Sequence, residues 1–191
     1  MRTTLFALAA AGLFASAAQA APATYAIDPT HTFATFEIDH MGATTNRARF
    51  DKKQGTVEFD REGKSGKVEV TLDMTSVNSG TPNFDKHLQS ADIFNVAKFP
   101  TAKFVSDKFV FDGDKVKEVT GQLTLLDKTQ PVTFKANKFN CYPSPMLQKR
   151  EVCGGDFEAT IDRTAFGLDY GVNFGAAKQV RLVLQIEAVK Q

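Results

Sequence analysis

Tryptophan is missing from the 191 residues, there are only two cysteines and three histidines, and no run of Lys or Arg exceeds two. Each scarcity excludes something. With 23 basic against 22 acidic side chains and no basic cluster, the chain carries no electrostatic footprint for nucleic acid or an anionic membrane surface. None of the histidines falls in H-E-x-x-H or His-x-His, so no metal site is written locally. The two cysteines are not spaced as C-x-x-C, which argues against a redox pair. No G-x-S-x-G elbow occurs, although Ser76, Ser79 and Ser90 lie near His87 in sequence. No Ser/Gly linker, low-complexity tract or internal repeat divides the chain, and residues 21–191 read as one domain.

Long apolar runs are also scarce. The one that exists is the first twenty residues, "MRTTLFALAAAGLFASAAQA", with one basic residue, a short apolar core and the small-x-small end Ala18-Gln19-Ala20. This reads as a secretory signal peptide over 1–20, cleaved before Ala21. The run is interrupted by Ser16 and Gln19 and is too short for a spanning helix, so no transmembrane segment is expected. The expected location is the periplasm, with full secretion as the second choice. In an exported chain the even pair Cys141 and Cys153 reads as a structural disulfide.

What is abundant is phenylalanine, at 17 residues against three tyrosines. A Phe-rich core and a cavity lined for a large apolar guest both fit that number. The remaining signal is alternation. Ala34, Phe36 and Ile38 share one side of a strand; so do Val57 and Phe59, then Val68, Val70, Leu72 and Met74. The same period places Leu123 with Leu125, Val132 with Phe134 and Ala136, Phe157 with Ala159 and Ile161, and Val180 with Leu182, Leu184, Ile186 and Ala188. In "TAKFVSDKFVFD" the apolar parity slips between Phe104 and Phe109, which predicts a bulge or bend around Ser106-Asp107. The pattern is all-β and antiparallel, a sandwich or a closed barrel of about eight strands whose interior is filled or holds one ligand. The exception is "TPNFDKHLQSADIFNVAKFP". Thr81 suits an N-cap and Pro82 the first helical position, and Phe84, Leu88 and Ala91 share a helical face. A short helical insert is expected near residues 82–95, packed across a barrel end or along its flank.

"YAIDPTHTFATFEIDHMG", "SVNSGTPNFDKHLQSADIFNVAKFPTAKFVS", "GQLTLLDKTQPVTF" and "IDRTAFGLDY" follow one another in the order of the YceI-like family, which the chain resembles over essentially its whole mature length. The most specific piece is D-x-H-L-x-S-x-D-x-F, Asp85 to Phe94, followed by Lys98-Phe99-Pro100. The family pattern differs at Ala48, where Gly is usual ahead of the Phe50 position, and at Asp127 and Lys128; these differences are expected at turns or strand ends. The resemblance implies a lipocalin-like barrel that holds a polyisoprenoid lipid in an apolar tunnel, with isoprenoid quinones such as ubiquinone among its guests. It implies no catalytic cofactor and no metal. A homodimer is compatible with such a barrel, and the membrane-associated donor or acceptor is left unspecified.

A prenyl tail needs a dry channel and little else, since transfer of apolar surface out of water is worth roughly 25 cal/mol per Å2. The expected channel lining is Phe36, Ile38, Val57, Phe59, Val68, Val70, Leu72, Phe104, Leu123, Leu125, Phe134, Phe157, Leu182 and Leu184. Phe84, Leu88, Ile93 and Phe94 of the insert are expected to close or shape it. His31, His40, Asp85, His87 and Arg163 are candidate head-group contacts. Arg163 shares the inward parity of Ile161, and a buried guanidinium must be paired, by a salt bridge or by a ligand's head group. The competing reading is an exported lipid-modifying hydrolase that uses His87 with a nearby Ser or Asp.

Overall fold

Alternating burial runs along nearly every strand of the computed structural model, which describes residues 22–191; the proposed signal segment lies outside the described residues. The strands are β1 (Ala23–Ile27), β2 (Phe33–His40), β3 (Thr44–Phe50), β4 (Lys53–Asp60), β5 (Ser65–Asp73), β6 (Val77–Asn78), β7 (Thr101–Asp112), β8 (Lys115–Leu125), β9 (Lys128–Pro143), β10 (Glu151–Asp162) and β11 (Gln179–Lys190). Among the described residues a single α-helix, α1 (Pro82–Gln89), stands between β6 and β7. All pairings are antiparallel, and β1 closes the sheet by pairing with both β4 and β11. The ring β1-β4-β5-β7-β8-β9-β10-β11 is an eight-stranded barrel.

The other three strands are continuations. β2 carries β1 onward along β11, β3 precedes β4 and pairs with β2, and β6 extends β5 and pairs with β3. The three breaks lie side by side at residues 28–32, 51–52 and 74–76. Backbone groups freed there find local partners. Asp51 and Asp73 amides donate to the Ser76 and Lys52 carbonyls at 3.1 and 3.0 Å. The buried Thr32 hydroxyl both donates to the Glu187 carbonyl and accepts from the Glu187 amide, at 3.1 Å each, on the side of β11 left open between its pairings with β1 and β2.

The parity slip in β7 is a bulge: Ser106 faces Gly121 and Lys108 faces Thr120, leaving residue 107 unpaired. A Cβ at Gly121 would run into the Val105 carbonyl oxygen and the Phe104 ring, so the bulge needs a glycine across from it. Two further slips set one extra residue in β8 and one in β9.

Of the helical insert expected near residues 82–95, α1 forms the first part and tight turns the second. The helix stops at Ser90, whose backbone is extended, and whose amide and hydroxyl both return to the His87 carbonyl, at 3.0 and 2.7 Å. Tight turns then carry the chain to β7, with Asn95 in the left-handed region. Thr81 occupies the N-cap position, but its hydroxyl makes no cap bond. Its carbonyl accepts from the Phe84 and Asp85 amides instead. Ala48 is a correction: it lies in the middle of β3 opposite Phe36, 3% exposed, rather than at a strand end.

Candidate functional site

The barrel wall and α1 enclose an apolar cavity of about 620 Å³, within the range of roughly 300–1,000 Å3 usual for small-molecule sites. The inward parity of the strands builds it. Phe36, Ile38, Val57, Phe59, Val68, Val70, Leu72, Phe104, Leu123, Leu125, Phe134, Phe157, Leu182 and Leu184 all line the cavity, and Phe84, Leu88, Ile93 and Phe94 of the insert join them. The phenylalanines are grouped along its length. Phe36, Phe50 and Phe94 meet at centroid distances of 5.8–6.2 Å beside α1. Phe104 and Phe134 form an edge-to-face pair at 5.2 Å, and Phe59 gathers Phe111, Phe139 and Tyr25 at the far end. Rings in these offset and tilted arrangements hold a wall open without polar groups.

Several residues beyond the expected lining set also line the cavity: Phe50, Phe109, Val116, Val119, Phe139, Ile161 and Leu168. Most lie next to the bulges. Val116 and Val119 both face inward because β8 carries an extra residue between them, and Ala136 and Phe139 do the same on β9. An apolar spacing of three inside a strand was the available signal.

At the far end from α1 the cavity is stoppered. The Tyr25 hydroxyl donates to Glu151 Oε1 at 2.6 Å, and Arg61 donates to Glu151 Oε2 at 2.6 Å. Burial, then the bond to Glu151, pushes the Tyr25 hydroxyl well above its usual range. The disulfide Cys141–Cys153 spans directly opposed residues of β9 and β10 at the same end, with Cα atoms 4.0 Å apart.

The other end is a mouth. His40 ends β2 and Met41 opens the β2–β3 turn, His87 comes from α1, and Arg163, Tyr170 and Phe174 from the long β10–β11 connection, and all line the cavity. The His87 and Tyr170 rings meet edge to face at 5.1 Å. Arg163 is buried, yet among the described residues no carboxylate pairs with it, which corrects the expected salt bridge. Its guanidinium donates to three carbonyl oxygens of the connection: Ala177 at 2.7 Å, Leu168 at 2.6 Å and Tyr170 at 2.9 Å. Burial pulls its pKa down, with Asp169 and Asp162 acting against that. Arg163 therefore shapes the mouth from beneath.

Of the five polar candidates, His40, His87 and Arg163 reach the cavity, and His31 and Asp85 do not line it. Asp85 reaches back from α1 to the Ser79 amide and hydroxyl, both at 2.6 Å. His31 Nδ1 lies 2.7 Å from Asp28 Oδ2 at the strand break. A serine–histidine couple is not assembled among the described residues. The Ser90 hydroxyl donates to the His87 backbone, Ser76 donates to the Asp73 carbonyl, and Ser79 bonds Asp85. Among the described residues two side-chain groups have metal-like proximity, Asp28–His31–Glu187 and Cys141–Glu151–Cys153. The first is engaged in the His31–Asp28 pair and a Tyr142–Glu187 bond of 3.1 Å; in the second the sulfurs are bonded to each other.

Comparison with known proteins agrees with the geometry. The model of the YceI-like domain family matches residues 25–188. Protein YceI of Escherichia coli O157:H7 is 36% identical over 194 residues, with all of both chains covered. Among solved structures, BcnA of Burkholderia cenocepacia superimposes with a TM-score of 0.66 at 21% identity, covering 84% of this chain and 98% of that one. A polyisoprenoid binding domain from Saccharophagus degradans, implicated in plant cell wall breakdown, gives 0.61 at 14% identity, covering 87% and 98%. These last two likenesses are of fold.

Proposed function

The chain belongs to the YceI-like domain family, and on that footing we propose that it is a non-catalytic carrier or store for a polyisoprenoid lipid, with an isoprenoid quinone such as ubiquinone among the candidate guests. The observation that carries this reading is the cavity. It runs from a mouth at α1 to a stopper at Tyr25 and Glu151, and its wall is phenylalanine and aliphatic side chain for most of that length. A flexible apolar chain gains affinity there from burial alone, without a catalytic group. Polar groups collect at the mouth, where His40 and His87 stand ready for a head group. That the similar fold from Saccharophagus degradans is a polyisoprenoid binding domain supports the ligand class. The leader-like residues 1–20 support a periplasmic location.

The test is mass spectrometry of the organic extract of protein purified from a bacterial periplasm, with native mass spectrometry of the same sample. A stoichiometric polyprenyl species is expected. Protein that carries none and refuses added polyprenol and ubiquinone would overturn the reading.

A further inference from the structure

Among the described residues, the exposed large apolar side chains include Met41, Tyr170 and Phe174, at 58%, 52% and 85% exposure. These three also line the cavity. They come from two different loops and converge. The Met41 methyl lies 3.5 Å from where a Cβ on Gly175 would stand, next to Phe174, and Tyr170 leans on His87 of α1. Their backbones are held. Met41 sits at φ 58 in a turn closed by the Ala43–His40 bond and by the Asp39 carboxylate on the Gly42 amide. Phe174 ends a short 3-10 turn whose amides bond back to Gly171 and Val172, above the carbonyls that Arg163 gathers. A fixed, solvent-facing aromatic tip at the opening of an apolar tube has no role in packing this chain.

We propose that this rim is a membrane-docking surface, which inserts Met41, Tyr170 and Phe174 among the acyl chains of a lipid bilayer so that the cavity opens directly onto it. The rim is continuous with the cavity wall, so what covers it must be continuous with what fills the cavity, and a water-insoluble chain resides in a bilayer. Met41, Tyr170 and Phe174 carry no charge, so the contact is one of apolar insertion rather than charge attraction. The tyrosine suits the interfacial depth. This inference rests on the carrier reading for its purpose, but not for its test.

The chain has no tryptophan, so Phe174→Trp installs a single, selectively excited indole at the tip. Mixed with phosphatidylcholine vesicles, it is expected to shift its emission to the blue, and wild-type protein is expected to sediment with the vesicles at low and high salt alike. Met41→Asp combined with Phe174→Asp should lower partitioning roughly tenfold or more with an unchanged circular-dichroism melt, since both positions are exposed. Wild-type protein left in the supernatant, or binding abolished by salt, would overturn the proposal. So would self-association that shields the tip, which would make a second copy of the chain the occupant. Loading of detergent-solubilised polyprenol is measured on the same preparation. Protein that loads without binding vesicles refutes docking alone; protein that binds vesicles without loading refutes the carrier alone.

Discussion

The Val68 amide donates to the Ser106 hydroxyl at 2.7 Å, in the buried wall where β7 accommodates its extra residue. β5 and β7 pair regularly only as far as Glu69 and Val105, so this side chain takes the place of a ladder bond that the bulge removes. Ser106 is a polar residue on the inward parity, 4% exposed, and its role is to let an apolar tube turn its strand without orphaning a backbone donor.

Ser106→Ala therefore leaves a buried amide without an acceptor. A loss of about 1–3 kcal/mol in urea unfolding is expected, against a few tenths for Ser106→Thr if the hydroxyl keeps its bond. Equal, small losses in both variants would show that the bond is dispensable.

Arg163→Met should lower stability by about 2–4 kcal/mol, because three carbonyls lose their donors and the connection over them loosens. Arg163→Lys should recover little, since an ammonium does not reproduce a fork spread over three acceptors. The check is paired thermal melts with amide hydrogen exchange over residues 163–178. Full rescue by lysine would contradict the assignment.

The His31–Asp28 pair sets a pH signature. The hydrogen bond to Asp28, then its charge, raises His31 above the ordinary 6.5. For Asp28, burial pushes the carboxyl upward, but the His31 bond and the Thr30 amide outweigh it and leave it below 3.8. The raised histidine contributes stability that is complete below 6.5 and lost as pH rises through its folded pKa. The lowered carboxylate contributes above 3.8 and fails as pH falls through its own folded value. The pair is fully engaged only between those limits. In an NMR titration His31 should titrate above the ordinary value in the wild type and return toward it in Asp28→Asn. An unchanged midpoint would remove the pair from the account.

Leu125 lines the cavity at the end of β8. Leu125→Trp should cut the amount of extractable lipid several-fold while the protein still melts cooperatively, because the larger ring occupies space meant for the guest. Full occupancy in a folded Leu125→Trp protein would place the guest elsewhere.

Much of the barrel is legible in the sequence because a period of two is a strong signal wherever one face is dry. Val180, Leu182, Leu184, Ile186 and Ala188 can be assigned to one face on sight, and the slip from Phe104 to Phe109 marks the bulge. β3 is less legible. "TTNRARF" places Asn46 and Ala48 inward and Arg47 and Arg49 outward, so its alternation is mostly polar, and the strand is held by pairing with β2 rather than by its own apolar face. The acceptors of Arg163 could not be read at all, because they are main-chain atoms that only the folded connection brings together. The tip at Phe174 was equally hidden. Parity tells which side of a strand a phenylalanine takes, but no periodicity operates in a loop.

The breaks at 28–32, 51–52 and 74–76 stand abreast on three neighbouring strands. Mechanically, that is a crease. On one side of it the strands are laced all the way round into a hoop; on the other, β2, β3 and β6 form a leaf fastened along β11 and backed by α1. A tube creased in this way is a full hoop of paired strands at its stoppered end, whereas toward its mouth the row of strands ends at β6 and α1 stands beside that edge. Backbone pairing sets the calibre below the crease, and side-chain packing sets the width of the entrance above it.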